Sequence, residues 1–171
     1  MEKQMVMKKL TAVLVLLGMI IGTAACSAKP FKEKSDYKNF SNYEDFKVDM
    51  AVKVLGTRVV QVDFLNQGEQ TFTFGKAYSL EYEQDGEWYK VPMDIAFTQE
   101  AIYLGPSTKL VERSQNVPIP SDNYSDIYDL GAIGKLPAGH YRMIKEFVAQ
   151  TDAGAGESYV TAAEFDLEKE G

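Results

Sequence analysis

Cysteine, histidine and tryptophan occur once each in this 171-residue chain, as Cys26, His140 and Trp88. A single cysteine excludes an internal disulfide, so the folded part must be held by its core. A single histidine leaves little for a serine or cysteine triad, which needs an imidazole base. Zinc sites need several His or Cys ligands, so zinc is not expected. Glycine-rich phosphate cradles are missing. Positive charge is also scarce: 18 Lys and Arg stand against 25 Asp and Glu, a net charge of −7. That balance argues against nucleic acid, whose recognition rests on basic patches that displace counterions. It argues equally against adhesion to anionic lipid by charge alone. Past the N-terminus no segment approaches membrane-spanning length, and no sustained 3.6-residue apolar period appears.

What is present begins with Lys3, Lys8 and Lys9 ahead of an apolar run from Leu10 to Ile21. As a helix that run spans ~18 Å at ~1.5 Å per residue, too short for a hydrocarbon core of about 30 Å. Gly22, Thr23, Ala24 and Ala25 then lead into Cys26. Basic, apolar and small-residue parts in that order make an export signal. Gly22-Thr23-Ala24-Ala25-Cys26 resembles the lipobox of bacterial lipoproteins. The resemblance implies cleavage before Cys26, lipid on Cys26, and attachment to the outer face of a bacterial cytoplasmic membrane, of the Gram-positive kind. Residues 1–25 are then signal peptide, and 26–46 are lipidated cysteine and tether, with at most about 70 Å of reach. Within the tether Tyr37, Phe40, Tyr43 and Phe46 recur every third residue, which one helical turn or a polyproline stretch gathers on one side. They read as the tether end packing on the domain; the alternative is an aromatic strip for a partner or the membrane interface.

From residue 47 to 171 the period is two, with frequent turn signals. Val48, Met50, Val52 and Val54 alternate with Lys47, Asp49, Ala51 and Lys53, and Val60, Val62 and Phe64 follow. Phe72 and Phe74 precede a strand through Tyr78, Leu80 and Tyr82. Asp85-Gly86 suits the positive φ of a type I′ hairpin turn, with a return strand through Trp88 to Val91. Lys109 to Val117 reads as another strand. Tyr141, Met143 and Lys145 alternate with Arg142, Ile144 and Glu146. Residues 152–156 read as a loop before the last strand, Tyr159 to Leu167. Segments 92–107 and 118–134 read as irregular. The expectation is an all-β antiparallel sandwich of seven or eight strands.

Leu136-Pro137-Ala138-Gly139-His140-Tyr141-Arg142 resembles the strand entry of immunoglobulin-like domains, where a tyrosine turns its hydroxyl back to nearby backbone. With Glu87-Trp88-Tyr89 and the Tyr141–Lys145 strand, residues 47–168 resemble the bacterial Ig-like domains of Gram-positive surface lipoproteins. The resemblance implies a β-sandwich with Tyr141 and Trp88 in structural roles, and it supplies no catalytic residues.

Other chemistry is thinly marked. Asp122, Asp126 and Asp129 lie close, with Asn123 and Ser125, but their spacing fits no calcium loop and reads as a solvated turn. No carboxylate pair is set apart for glycoside hydrolysis. The function expected is therefore non-catalytic: a binding or accessory module fixed to the membrane through Cys26, needing no cofactor or metal, with an envelope protein as partner and no nucleic acid. The expected surface is the pair of irregular segments, with Phe97, Tyr103, Ile127 and above all Tyr124 and Tyr128 as exposed anchors. The alternative is a proteinase inhibitor acting through the same loops.

Overall fold

A computed structural model of the chain describes residues 29–38, 40, 44–106 and 121–169. Cys26 with its signal, Tyr43 and the strand expected at Lys109 to Val117 lie outside the described residues. Nine strands are present among those described: β1 Val48–Val54, β2 Val59–Asn66, β3 Phe72–Phe74, β4 Ser79–Gln84, β5 Glu87–Lys90, β6 Ile102–Leu104, β7 Asn123–Asp129, β8 Gly139–Thr151 and β9 Gly154–Leu167. They form two antiparallel sheets, one of order β1-β2-β7 and a six-stranded one organised on β8. β9 pairs along one edge of β8. The other edge is shared, by β4 near its start and by β3 near its end. β5 and β6 extend those two outward.

Each strand's alternation decides which side meets the other sheet. β2 buries Val60, Val62, Phe64 and Asn66 and turns Gln61, Asp63 and Leu65 outward. β8 sends Tyr141, Met143, Lys145, Phe147 and Ala149 inward. One half of the core is an aromatic cluster around Phe147, whose ring lies 4.9 Å from Phe74, 5.5 Å from Phe46 and 5.6 Å from Phe64. The other half is built on Tyr141, fully buried, 5.0 Å from the Tyr82 ring. Its hydroxyl donates 2.6 Å to the Pro137 carbonyl. Gly139, at φ 149°, lets the chain pass that ring pair, because a Cβ there would sit 2.6 Å from Tyr82.

Several local expectations need correction. Segment 92–107 contains β6, and 118–134 contains β7 followed by a 3-10 turn at Leu130–Ile133. β7 escapes a pattern reading because its outward positions are Asn123, Ser125, Ile127 and Asp129, mostly turn formers; its pairing with β2 supplies the ladder that its own sequence does not advertise. The loop expected at 152–156 shrinks to a tight turn, since Gly154 pairs with Thr151 and begins β9. At Asp85-Gly86 both residues have positive φ, 56° and 75°, as the two-residue hairpin turn demands.

The segment before β1 lies along the sheet. Lys34 bridges Tyr89 in antiparallel fashion, with Ser35 N donating to the Trp88 carbonyl (2.9 Å) and Lys90 N to the Glu33 carbonyl (2.8 Å). Residues 33–35 therefore cover the outer edge of β5, which would otherwise present unpaired backbone groups. Phe46 enters the core, stacked 5.2 Å from Tyr159.

Candidate interaction surface

On the outer face of the larger sheet, register places Glu81 of β4 directly opposite Arg142 of β8. Arg142 Nε and Nη2 lie 2.8 and 2.6 Å from Glu81 Oε2, and both residues are buried. The guanidinium carbon lies over the Trp88 ring at 4.3 Å and over the Phe40 ring at 4.8 Å, contacts that its flat delocalised charge favours. Its remaining reach goes to the N-terminal segment: Nη2 donates to Ser35 Oγ and to the Tyr37 carbonyl, both at 3.2 Å. Trp88 is thus half-buried on the outside of the sheet, where it roofs a charge. Glu81 Oε1 and Gln84 Oε1 are buried with no hydrogen-bond donor among the described residues.

His140 stands on the same face, 5.6 Å from the Trp88 ring. Nδ1 lies 2.8 Å from Asp166 and Nε2 3.2 Å from Glu164, both on β9. The hydrogen bond to Asp166 raises its pKa most; partial burial opposes the shift and the bond to Glu164 adds to it. Two carboxylates clamp this imidazole, and among the described residues no serine is bonded to it.

Tyr124 and Tyr128, expected on the surface, point inward from β7. Tyr128 is 7 % exposed, and its ring packs 5.1 Å from Tyr78. Tyr124 is half-buried against Phe74. The physical reason is strand alternation: only odd-numbered positions of β7 face solvent, and of the apolar side chains it is Ile127 that stands out, 62 % exposed. Phe97 and Tyr103 are partly covered too, Phe97 at 5.1 Å from the Tyr78 ring. The two tyrosine hydroxyls instead belong to an internal polar network. Lys76 Nζ lies 2.7 Å from both Tyr124 Oη and Asp126 Oδ2. Burial opposes the Lys76 charge, but those two partners hold its pKa above the ordinary lysine value. Tyr128 Oη sits 3.3 Å from Lys145 Nζ, which also donates to the carbonyls of Gly75 (2.6 Å) and Ala77 (2.7 Å). Burial pulls Lys145 down to about 8.

Among the described residues, two of the concavities open to solvent stand out for their acidic lining. One, of about 490 Å³, lies over the three-stranded sheet and is lined by Asp49, Asp63, Leu65 and Ser125. The other, of about 510 Å³, lies at the end of the sandwich where β8 turns into β9, and gathers Glu44, Asp45, Glu69 and Glu157 around Lys47 and Tyr159. Among the described residues no group of three His, Cys, Asp or Glu is placed to hold a metal ion. The acids of 122–129 do not converge, because Asp126 faces inward to Lys76 and Asp129 caps the 3-10 turn through Gly131 N.

Residues 44–166 match the family model described as "Bacterial Ig-like domain". No curated protein matches the chain.

Proposed function

The chain belongs to the bacterial Ig-like domain family, and on that premise we propose that it is an extracytoplasmic lipoprotein, anchored through Cys26, whose sandwich is a binding or accessory module. The observation that carries this reading is a juxtaposition in the sequence. A basic segment, an apolar run, four small residues and the unique Cys26 stand immediately ahead of a domain of this family. Members of such a fold act through their surfaces, since a filled sandwich leaves no room for an internal substrate pocket. Here the interior is occupied by the Phe147 cluster, the Tyr141 pair and the Lys145 network, which supports contact through end loops and outer sheet faces. The partner class that fits is another envelope protein.

The test is metabolic labelling with a fatty acid in intact bacteria, followed by membrane fractionation. The native chain should label and sediment with membranes; Cys26→Ala should lose both properties while the domain keeps its all-β circular dichroism. Retained label in the variant sinks the anchor, and hydrolytic turnover by the purified protein sinks the non-catalytic part.

A further inference from the structure

The geometry points to a close, end-on seating of this domain on the bilayer, with the β4–β5 turn toward the lipid and the β8–β9 turn away from it. The inference rests on the lipid anchor at Cys26 proposed above. It concerns what happens to the spacer between anchor and domain. Sequence alone allows that spacer roughly 70 Å. The described part of it, however, is committed to the domain from Lys29 onward. Lys29 Nζ lies 2.9 Å from Asp85 Oδ2 and 5.3 Å from the centre of the Tyr89 ring. The Phe31 ring packs 5.5 Å from Tyr82, and the Phe31 carbonyl accepts from Gln84 Nε2 at 3.0 Å. Residues 33–35 then ladder onto β5, and Ser35 and Tyr37 hold Arg142.

Three peptide steps separate Cys26 from Lys29, at most about 11 Å. The end of the sandwich that holds Lys29 is the end with Asp85-Gly86. Register places the start of β8 at Gly139 and the end of β9 at Leu167 on that end as well. The 134–138 loop, which leads from the 3-10 turn into β8, lies at that end too, pinned by Arg58 to the Gly134 and Leu136 carbonyls. β8 runs on for 13 residues, ~40 Å at ~3.3 Å per residue, to the turn at 152–153. The acidic cleft of Glu44, Asp45, Glu69 and Glu157 sits at that second end. A lipid on Cys26 therefore brings the first end against the headgroups and displays the cleft outward. Lys29, Lys32 and Lys34 come near the anionic surface, Lys29 and Lys34 already paired there with Asp85 and Glu87, and the carboxylates of the cleft are kept away from it.

The test uses the full-length lipoprotein in vesicles carrying headgroup-attached quencher, with a fluorophore on Lys135→Cys or on Ala153→Cys after lipid has consumed Cys26. Both positions are exposed. Quenching should be several-fold stronger at 135 than at 153. A Gly-Ser insertion of about 15 residues between Ser27 and Ala28, a flexible coil of roughly 20 Å, should bring the two signals together. Equal quenching in the unmodified chain, or an insertion without effect, overturns the seating. Vesicle flotation in the same samples separates the two ideas: protein that fails to float overturns the anchor and the seating together, whereas protein that floats with equal quenching overturns the seating alone.

Discussion

Arg142 and Lys145 sit three residues apart on β8, face opposite sides of the sheet, and are both buried, yet they are held in different ways. Arg142 has a carboxylate, two aromatic faces and two further acceptors. Lys145 has two backbone carbonyls and a phenol, and no carboxylate at hydrogen-bonding distance among the described residues. A guanidinium stays charged in any surroundings, so its environment must be built to accept the charge. An ammonium can give up its proton, so a poorer environment appears as a shifted pKa. The outer face of the sheet therefore binds the N-terminal segment through a permanent charge, while the interior tolerates a conditional one.

The largest effect expected is at Arg142. Arg142→Ala leaves Glu81 buried with no hydrogen-bond partner among the described residues, and breaking one side of a buried pair costs about 3–5 kcal/mol. The same change removes the bonds to Ser35 and Tyr37. Urea unfolding should show the loss, and limited proteolysis should show cleavage appearing within 29–40. Arg142→Lys keeps a charge near Glu81 but not the fork or the flat stack, so it should fall between alanine and the native residue. A cost for alanine under about 1 kcal/mol would erase the contrast with Lys145.

Lys145 comes next, read through pH. Folded, it loses its proton near pH 8; unfolded, it holds the proton to about 10.5. Between those values the unfolded chain binds more protons, so stability rises with pH, by on the order of 3 kcal/mol across the window. Tyr78 acts in the opposite sense: burial lifts it from 10.0 to about 12, so its contribution is lost only above pH 10. The window to measure is pH 8 to 10. Lys145→Met should remove the rise while costing stability at pH 7, because the Gly75 and Ala77 carbonyls lose their donor. An unchanged pH profile in Lys145→Met would show that the interior charge is as fixed as the outer one.

Tyr141, beside Arg142, supplies an uncharged reference on the same strand. Tyr141→Phe removes one hydrogen bond to Pro137 and keeps the ring, so it should cost about 0.5–1.5 kcal/mol, well below either cation. This residue was legible through a resemblance: Leu136–Arg142 is similar to the strand entry of immunoglobulin-like domains, which implies a tyrosine hydroxyl turned back to nearby backbone. Lys145 was half legible, since alternation with Tyr141 and Met143 already put it on the inner face, although nothing local said which acceptors would meet it. The Glu81–Arg142 pair was not legible. It depends on the register between strands separated by some 60 residues, and that register is set by packing of the whole sheet. β7 was missed for a related reason, as its pairing is with β2 and its outer face is polar. Reading Tyr124 and Tyr128 as surface anchors followed from that miss, because a residue in a loop has no assigned face and a residue in a strand does.

The smallest effect expected is at His140, and it tests whether a charge in water behaves as a third case. Its ring is about one third exposed, and its two carboxylate partners are more exposed still, so solvent screens the attraction. Hydrogen bonding to Asp166, against some desolvation and with help from Glu164, raises its folded pKa above 6.5. The sign follows: stability from this group is complete below about pH 6.5 and fades as pH rises through the raised folded value. Native protein should therefore show a slightly higher urea midpoint at pH 5.5 than His140→Gln, with the difference shrinking as pH is raised above 6.5. The effect runs opposite in pH to that of Lys145, which makes the two separable in one set of unfolding curves. A His140→Gln penalty that stays constant with pH would mean that the ring acts by its contact with Trp88, 5.6 Å away, and not by its charge.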